Sequence, residues 1–259
     1  MKNFLRALVI TILSGAVFSA CERETEVVDI DFGYEYFPLQ IGQSLEYVVD
    51  SIIYDPAVSG TQIDTNSWQV KETVIDSFLA QDGQVWYRIE RFQRQTEAQP
   101  WQIEKVFATA RTPSKAFRTE DNLQFTKMIF PIRANASWDG NAAFPANAIQ
   151  VEVAGEQVQM FKDWGEQMVL SVDAPFQIAD ATFPNVLTIQ LANSDNLVEY
   201  RQGKEYYAKG IGLIYRELQI LDTQCQTCCS GNTGACIDTP WTERAEKGFI
   251  LRQRITKWQ

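Results

Sequence analysis

Apolar and polar residues alternate with period two along most of the chain. Leu45, Tyr47, Val49 and Ser51 fall on one face of an extended segment, and Glu46, Val48, Asp50 and Ile52 on the other, before Pro56 and Gly60 break the run. Trp68, Val70, Glu72 and Val74 open a second run that ends near Phe78. Asp82-Gly83 then reads as a two-residue hairpin turn, since a type I′ turn requires positive φ at both centres. Val85–Arg94 is the return strand, and the meander continues through 101–110, 116–119 and 123–130. Further strands are expected at 158–162, 168–173, 186–191, 197–208, 211–221 and 249–258. β-branched and aromatic residues fill these runs and turn residues separate them. No segment after residue 20 carries a helical stripe of four turns. One short helix is expected at 240–245, capped by Asp238 or Thr239 with Pro240 in its first turn. The pattern predicts an all-β, mostly antiparallel domain with a curved sheet or two packed sheets.

A short internal likeness bears on its organisation. Phe37-Pro38-Leu39-Gln40-Ile41-Gly42-Gln43-Ser44-Leu45-Glu46 can be laid on Phe130-Pro131-Ile132-Arg133-Ala134-Asn135-Ala136-Ser137-Trp138-Asp139. Proline cannot donate to a sheet ladder, so each aromatic-proline pair is expected at a strand entrance. The pairing divides a β domain at 37–259 into two similar halves, with a boundary near 135–148. Turn entrances that reuse the same residue types would give the same likeness by chance.

The first twenty residues read differently. Lys2 and Arg6 supply a positive start, an apolar run follows from Leu5 to Ile12, and Ser14, Gly15, Ser19 and Ala20 are small. That is the order of a secretory signal, and its apolar stretch is too short to span a bilayer, which takes about 20 apolar residues. Phe18-Ser19-Ala20-Cys21 then resembles the lipobox of bacterial lipoproteins, with Phe18 where that family prefers Leu, Val or Ile. The resemblance implies cleavage before Cys21 and several acyl chains on it, and two or more chains anchor firmly where one does not. An ordinary cleaved signal followed by a chance cysteine is the alternative. Residues 21–36 read as the lipidated N-terminus and a flexible tether, because Glu22, Arg23, Glu24, Thr25 and Glu26 lack apolar periodicity. That acidic start also looks like the export signal that sends lipoproteins of Bacteroidetes to the cell surface.

Charge and cysteines narrow the field. The chain carries 33 acidic and 23 basic residues, a net charge of −10, and loses two of those cations with its leader. Such a protein is repelled by nucleic acid, and no basic patch points the other way. Setting Cys21 aside leaves Cys225, Cys228, Cys229 and Cys236 in one short segment. In an exported chain, two local disulfides in one of three pairings are the expected outcome. Zinc is the rival, although the spacing does not make two CxxC knuckles and no histidine is available to complete a mixed site. A redox CxxC would need a helix N-terminus, and this segment reads as a loop.

Histidine is absent from the whole chain, which removes the usual base near neutral pH and excludes Ser-His-Asp and Cys-His catalysis. No Ser-x-x-Lys, Gly-x-Ser-x-Gly or phosphate-binding Gly-Lys-Ser/Thr loop occurs. Gly210-Ile211-Gly212 lacks the third glycine of a nucleotide loop. Neither Asp29-Ile30-Asp31 nor Asp195-Asn196 carries the pattern of a calcium loop. Paired carboxylates, as in glycoside hydrolysis, could come from Glu90, Asp163, Glu166, Glu199, Glu205 or Glu217, with nothing to single out one pair. No catalytic residue, metal or cofactor is therefore assigned. Of the seven tryptophans, most are expected in the core. Trp138 and Trp164, beside Gly140 and Gly165, are expected to be the exposed pair and are candidate ligand contacts.

Tyr206-Tyr207-Ala208-Lys209-Gly210-Ile211-Gly212-Leu213-Ile214-Tyr215-Arg216-Glu217 looks like the closing strand pair of lipoproteins from Bacteroidetes, many of unknown function. Gly210 and Gly212 would allow a bulge or tight bend there. The cysteine segment, between Leu221 and Phe249, is then a stapled insertion in the final hairpin. The resemblance carries no catalytic or binding residue. It implies a lipid-anchored lipoprotein of the cell envelope, most simply at the outer membrane on its surface or periplasmic face, with a non-enzymatic binding or structural role. Its partners would be the membrane, through Cys21, and an envelope protein, glycan or lipid. A carrier of a lipophilic ligand in a half-barrel groove and a carboxylate-based hydrolase are the alternatives.

Overall fold

A computed structural model describes residues 30–57, 60–232 and 234–259. The signal segment, Cys21 and the start of the tether lie outside the described residues. Alternation becomes strand at β1 (Ser44–Ala57), β2 (Gly60–Leu79), β3 (Val85–Arg94), β4 (Gln102–Arg111), β5 (Lys115–Glu120), β6 (Leu123–Ile129) and β7 (Ser137–Trp138). A separate hairpin, β8 (Gln150–Val153) and β9 (Glu156–Gln159), follows. The chain then runs through β10 (Gln167–Ile178), β11 (Ala181–Asp195), β12 (Glu199–Ala208), β13 (Gly212–Asp222) and β14 (Lys247–Trp258).

All but the β8–β9 hairpin belong to one antiparallel sheet, ordered β6-β5-β4-β3-β2-β1-β14-β13-β12-β11-β10-β7. β1 and β14 pair at its centre. The chain winds outward from β1 to the β6 edge, changes edges between Phe130 and Ser137, and winds back to β14. The two edges nearly meet. Thr126 of β6 donates its N–H to the Gly140 carbonyl at 2.9 Å, and the Trp138 indole Nε1 donates to the Thr126 carbonyl at 2.8 Å. Near closure covers edge groups that an open sheet would leave unpaired.

Several expectations need correcting. β2 begins at Gly60, eight residues before the apolar run, because polar residues 60–67 pair along the whole distal half of β1. The β2–β3 turn is a three-residue connection, closed by Ala80 N–H to Gln84 O at 3.0 Å, and only Gly83 has positive φ. That fits a turn ending in a left-handed residue better than type I′. Phe130-Pro131 leaves β6 and does not lead into a strand, since five residues of edge change separate it from β7. The tether is shorter than expected. Tyr34–Tyr36 form a 3₁₀ turn and Tyr36 is buried, its hydroxyl donating to Asp173 Oδ1 at 2.9 Å, because two tyrosines in this stretch find cover under the barrel rim. The cysteine segment holds a single helical turn, α1 (Gln226–Cys229), where a loop was expected. The predicted helix forms as α2 (Trp241–Arg244), with Pro240 at its N-cap.

The main core cluster joins Tyr36, Met128, Phe130, Trp138, Phe161 and Trp164 to Leu187, Ile189, Leu191 and Ile220. Gly248 (φ 113°) sits where a Cβ would lie 2.0 Å from the Ile220 carbonyl oxygen, so this register of β13 on β14 requires glycine.

Candidate functional site

The barrel interior holds charges on strand positions that otherwise carry apolar side chains. Glu72 lies between Val70 and Val74 on β2, and all three are buried. Arg216 follows Ile214 and precedes Leu218 and Ile220 on β13. Lys127 shares a phase with Leu123, Phe125 and Ile129 on β6. A charge on an inward phase needs partners, since burying it alone is prohibitive.

Some of those partners stand opposite on a neighbouring strand, as Arg91 does to Glu72 and Glu205 to Arg216, and others come from strands that are not neighbours. Arg118 on β5 grips Glu72 with both guanidinium nitrogens, Nη1 to Oε2 at 2.9 Å and Nη2 to Oε1 at 2.8 Å. Arg91 adds a contact of 3.3 Å to Glu72 and a hydrogen bond of 3.0 Å to Glu104. Glu120 lies 2.6 Å from Arg118 Nε and 4.0 Å from Arg216. Glu205, fully buried on β12, accepts from Lys127 Nζ at 2.7 Å, Arg216 Nε at 2.7 Å and the Tyr207 hydroxyl at 2.6 Å. The cluster thus alternates four cations with four anions. Burial pushes the Glu72 carboxyl up, but Arg118, with Arg91 and Arg216 behind it, outweighs that and holds it at about 2. Glu205 is likewise drawn down to about 2, against burial, by Lys127 and Arg216. Burial lowers the Lys127 ammonium more than Glu205 raises it.

Cavities of about 70 and 90 Å³ flank this layer and share Lys127 and Arg216 in their walls. Spaces of that size hold a few waters, whereas a pocket for an organic ligand takes about 300–1,000 Å³. The groove of a lipophilic carrier is therefore filled with ion pairs and aromatic side chains.

The candidate carboxylates do not converge. Glu90 faces away from Ile89 on β3; Glu166 accepts from Ser137 Oγ at 2.7 Å; Glu199 from Lys162 Nζ at 2.7 Å; Glu217 from Arg252 Nε at 2.9 Å. Asp163 sits in a turn with φ 57°. Asp31, Glu72, Glu120, Glu199, Glu205 and Glu246 are shifted, and all are shifted downward. Glycoside hydrolysis needs one carboxylic acid held protonated by a raised pKa.

Trp138 and Trp164 are buried, at 8 % and 7 % exposure, and not the exposed contacts their glycine neighbours implied. The segment between β7 and β10 packs Phe144, Ile149, Val151 and Phe161 on the core, so Trp138 seals the seam and Trp164 stacks edge-on against Phe161, with Phe144 and Phe125 beyond it.

The stapled loop lies between Asp222 and Lys247, as an insertion in the β13–β14 hairpin. One disulfide, Cys228–Cys236, is present where two were expected. Cys225 is buried with its thiol unbridged, and Cys229 is half-buried and also unbridged. The Cys225 sulfur lies within 4.8 Å of both bridged sulfurs, while Cys229, on the α1 turn, is not part of that cluster. The loop is braced from below. Arg244 is buried, donates to the Cys236 carbonyl at 3.1 Å and stacks on Trp241, and Glu246 accepts the N–H groups of Gln224 and Thr227 at 2.7 Å. Beside it opens a concavity of about 510 Å³, lined by Thr223, Gln226, Thr227, Glu246 and Lys247 and by Glu199 from the β11–β12 end. Sequence reasoning missed Glu72, Arg118, Lys127 and Arg216. Their signal was a charge on the apolar phase of an alternating strand.

No family model and no curated protein matches the chain. Two solved structures are similar to it at low identity. One is a provisionally assigned lipoprotein from Parabacteroides distasonis, 10 % identical, with a TM-score of 0.39 over 89 % of this chain and 100 % of that one. The other is a provisionally assigned exported protein with a YmcC-like fold from Bacteroides fragilis, 9 % identical, with a TM-score of 0.33 over 86 % of this chain and 98 % of that one. At these scores the likeness assigns neither family nor activity.

Proposed function

We propose that this chain is a lipid-anchored lipoprotein of the cell envelope with a non-enzymatic binding role, its barrel serving as a rigid support for the stapled loop. The observation that carries the reading is the closed interior. Its buried charges neutralise one another, and its cavities are of a size for a few waters rather than an organic substrate. Outside it stands the braced, disulfide-held loop with the concavity at its side, a mixed apolar and polar surface suited to an envelope protein or glycan. The signal-like leader and the lipobox-like Phe18-Ser19-Ala20-Cys21 support the anchor on Cys21 and a place at the outer membrane.

Metabolic labelling with a palmitate analogue tests the anchor: the wild-type chain takes the label and fractionates with membranes, and Cys21→Ser loses both. An unlabelled wild type, or a membrane-bound serine variant, overturns it. Crosslinking on intact cells tests the role. A partner captured by the wild type is lost when Gln226 and Thr227 are replaced by arginine. Turnover of a substrate that survives stringent purification overturns the non-enzymatic reading.

A further inference from the structure

The exposed aromatic side chains of the described residues gather at one end of the barrel. Phe32, Phe78 and Trp258 are 38 %, 47 % and 44 % exposed. Strand register places them together. Trp258 ends β14 opposite Leu45, at the start of β1. Phe78 and Leu79 end β2, where Leu79 pairs with Val85 across the hairpin mouth. Phe32 is held at the same end by its carbonyl, which accepts from Ile132 N–H, and Gly210 N–H reaches Glu35 O nearby. Ile41, Leu79 and Val85, all exposed, complete an apolar rim. The cysteine loop occupies the opposite end, between the end of β13 and the start of β14.

The described chain also begins at this rim, where Asp31 pairs with Lys209 at 3.3 Å. Only ten residue steps lead from Cys21 to Asp31. Fully extended, they reach about 35 Å. β13, which runs from this end to the cysteine loop, spans eleven residues, about 36 Å. A lipid on Cys21 therefore keeps the rim close to the bilayer, and the loop end would reach it only with the tether drawn out fully along the barrel wall. Aromatic side chains with apolar neighbours are the residues that settle at a membrane–water interface. Exposed Asp82 and Asp180 are offset at this end by exposed Lys115 and Lys257, so the rim offers no excess of cations to an anionic surface and suits an electroneutral one.

We propose that the rim of Phe32, Ile41, Phe78, Leu79, Val85 and Trp258 is a membrane-docking surface for zwitterionic lipid, seated in the bilayer that holds the Cys21 anchor and turning the cysteine loop away from it. This rests on the anchoring reading above, and the two fail separately. Acylated protein purified from membranes is placed in phosphatidylcholine vesicles with brominated acyl chains. The fluorescence lost on Trp258→Phe reports that side chain, and hydrogen exchange reports 77–86. Brominated lipid is expected to quench the Trp258 contribution at least twofold, and exchange at 77–86 to slow at least threefold relative to the soluble Cys21→Ser chain. Replacing Phe78, Leu79 and Trp258 by serine abolishes the protection while leaving the protein anchored and folded. No quenching, or protection at 223–246 instead, overturns the proposal. An intact mass without acyl chains sinks the anchor alone. A hexahistidine tag in place of Cys21, on vesicles of nickel-chelating lipid and phosphatidylcholine, then supplies the tether, and the same two readouts decide the rim.

Discussion

Glu72 and Arg118, forty-six residues apart, meet inside the barrel through two hydrogen bonds of 2.9 and 2.8 Å. The pair ties β2 to β5 across β3 and β4, which lie between them in the sheet. It is a contact across the lumen that no neighbouring-strand ladder could make. Stability and the response to acid both draw on it.

Removing one partner leaves the other charged and buried. Glu72→Gln is expected to cost about 3–5 kcal/mol, the usual range for breaking a buried ion pair. Urea unfolding of the variant measures it. A loss below about 1 kcal/mol would mean that water reaches the pair.

The cluster also sets a response to acid. Glu72 and Glu205 are held at about 2 in the folded protein, below the 4.5 of a free glutamate. A depressed carboxyl contributes stability above its unfolded pKa and loses it as the pH falls through the folded value. Stability should therefore be flat from neutral pH to about 5 and fall between pH 4.5 and 2. Denaturation curves at pH 7, 5, 4 and 3 check this, and Glu72→Gln should flatten the fall.

At the seam, Trp138→Phe keeps the apolar cover and removes the 2.8 Å bond to Thr126. About 1 kcal/mol of stability is expected to go with it. Faster hydrogen exchange should appear at Thr126, whose N–H bonds Gly140, before it appears in β1 or β14. Uniformly faster exchange would show that the seam does not open first.

The cysteines differ in access. Cys229 is half-buried and should alkylate under native conditions, whereas the buried Cys225 should react only after denaturation. Peptide mapping after N-ethylmaleimide separates the two. The Cys228–Cys236 bridge closes an eight-residue separation, worth about 2–3 kcal/mol in loop entropy. Cys228→Ser with Cys236→Ser should lower stability by that order and leave the register of β1 to β13 unchanged by hydrogen exchange.

Period-two alternation was enough to place most strands, the all-β class and the insertion in the last hairpin, because alternation is a local consequence of the pleat. Residues 60–67 show where locality ends: they are strand only because β1 offers an unpaired edge. The same limit applies to Trp138 and Trp164. Their neighbouring glycines signalled a turn, and the fold then covered that turn with the segment between β7 and β10. Glu72, Lys127 and Arg216 were visible as charges on an inward phase, but their partners lie between 11 and 78 residues away. Within the strands, the chain by itself determined which residues face inward; only the tertiary structure decided which charges meet there. Pairing across a closed barrel depends on strand order and register, and those are set by the whole sheet at once.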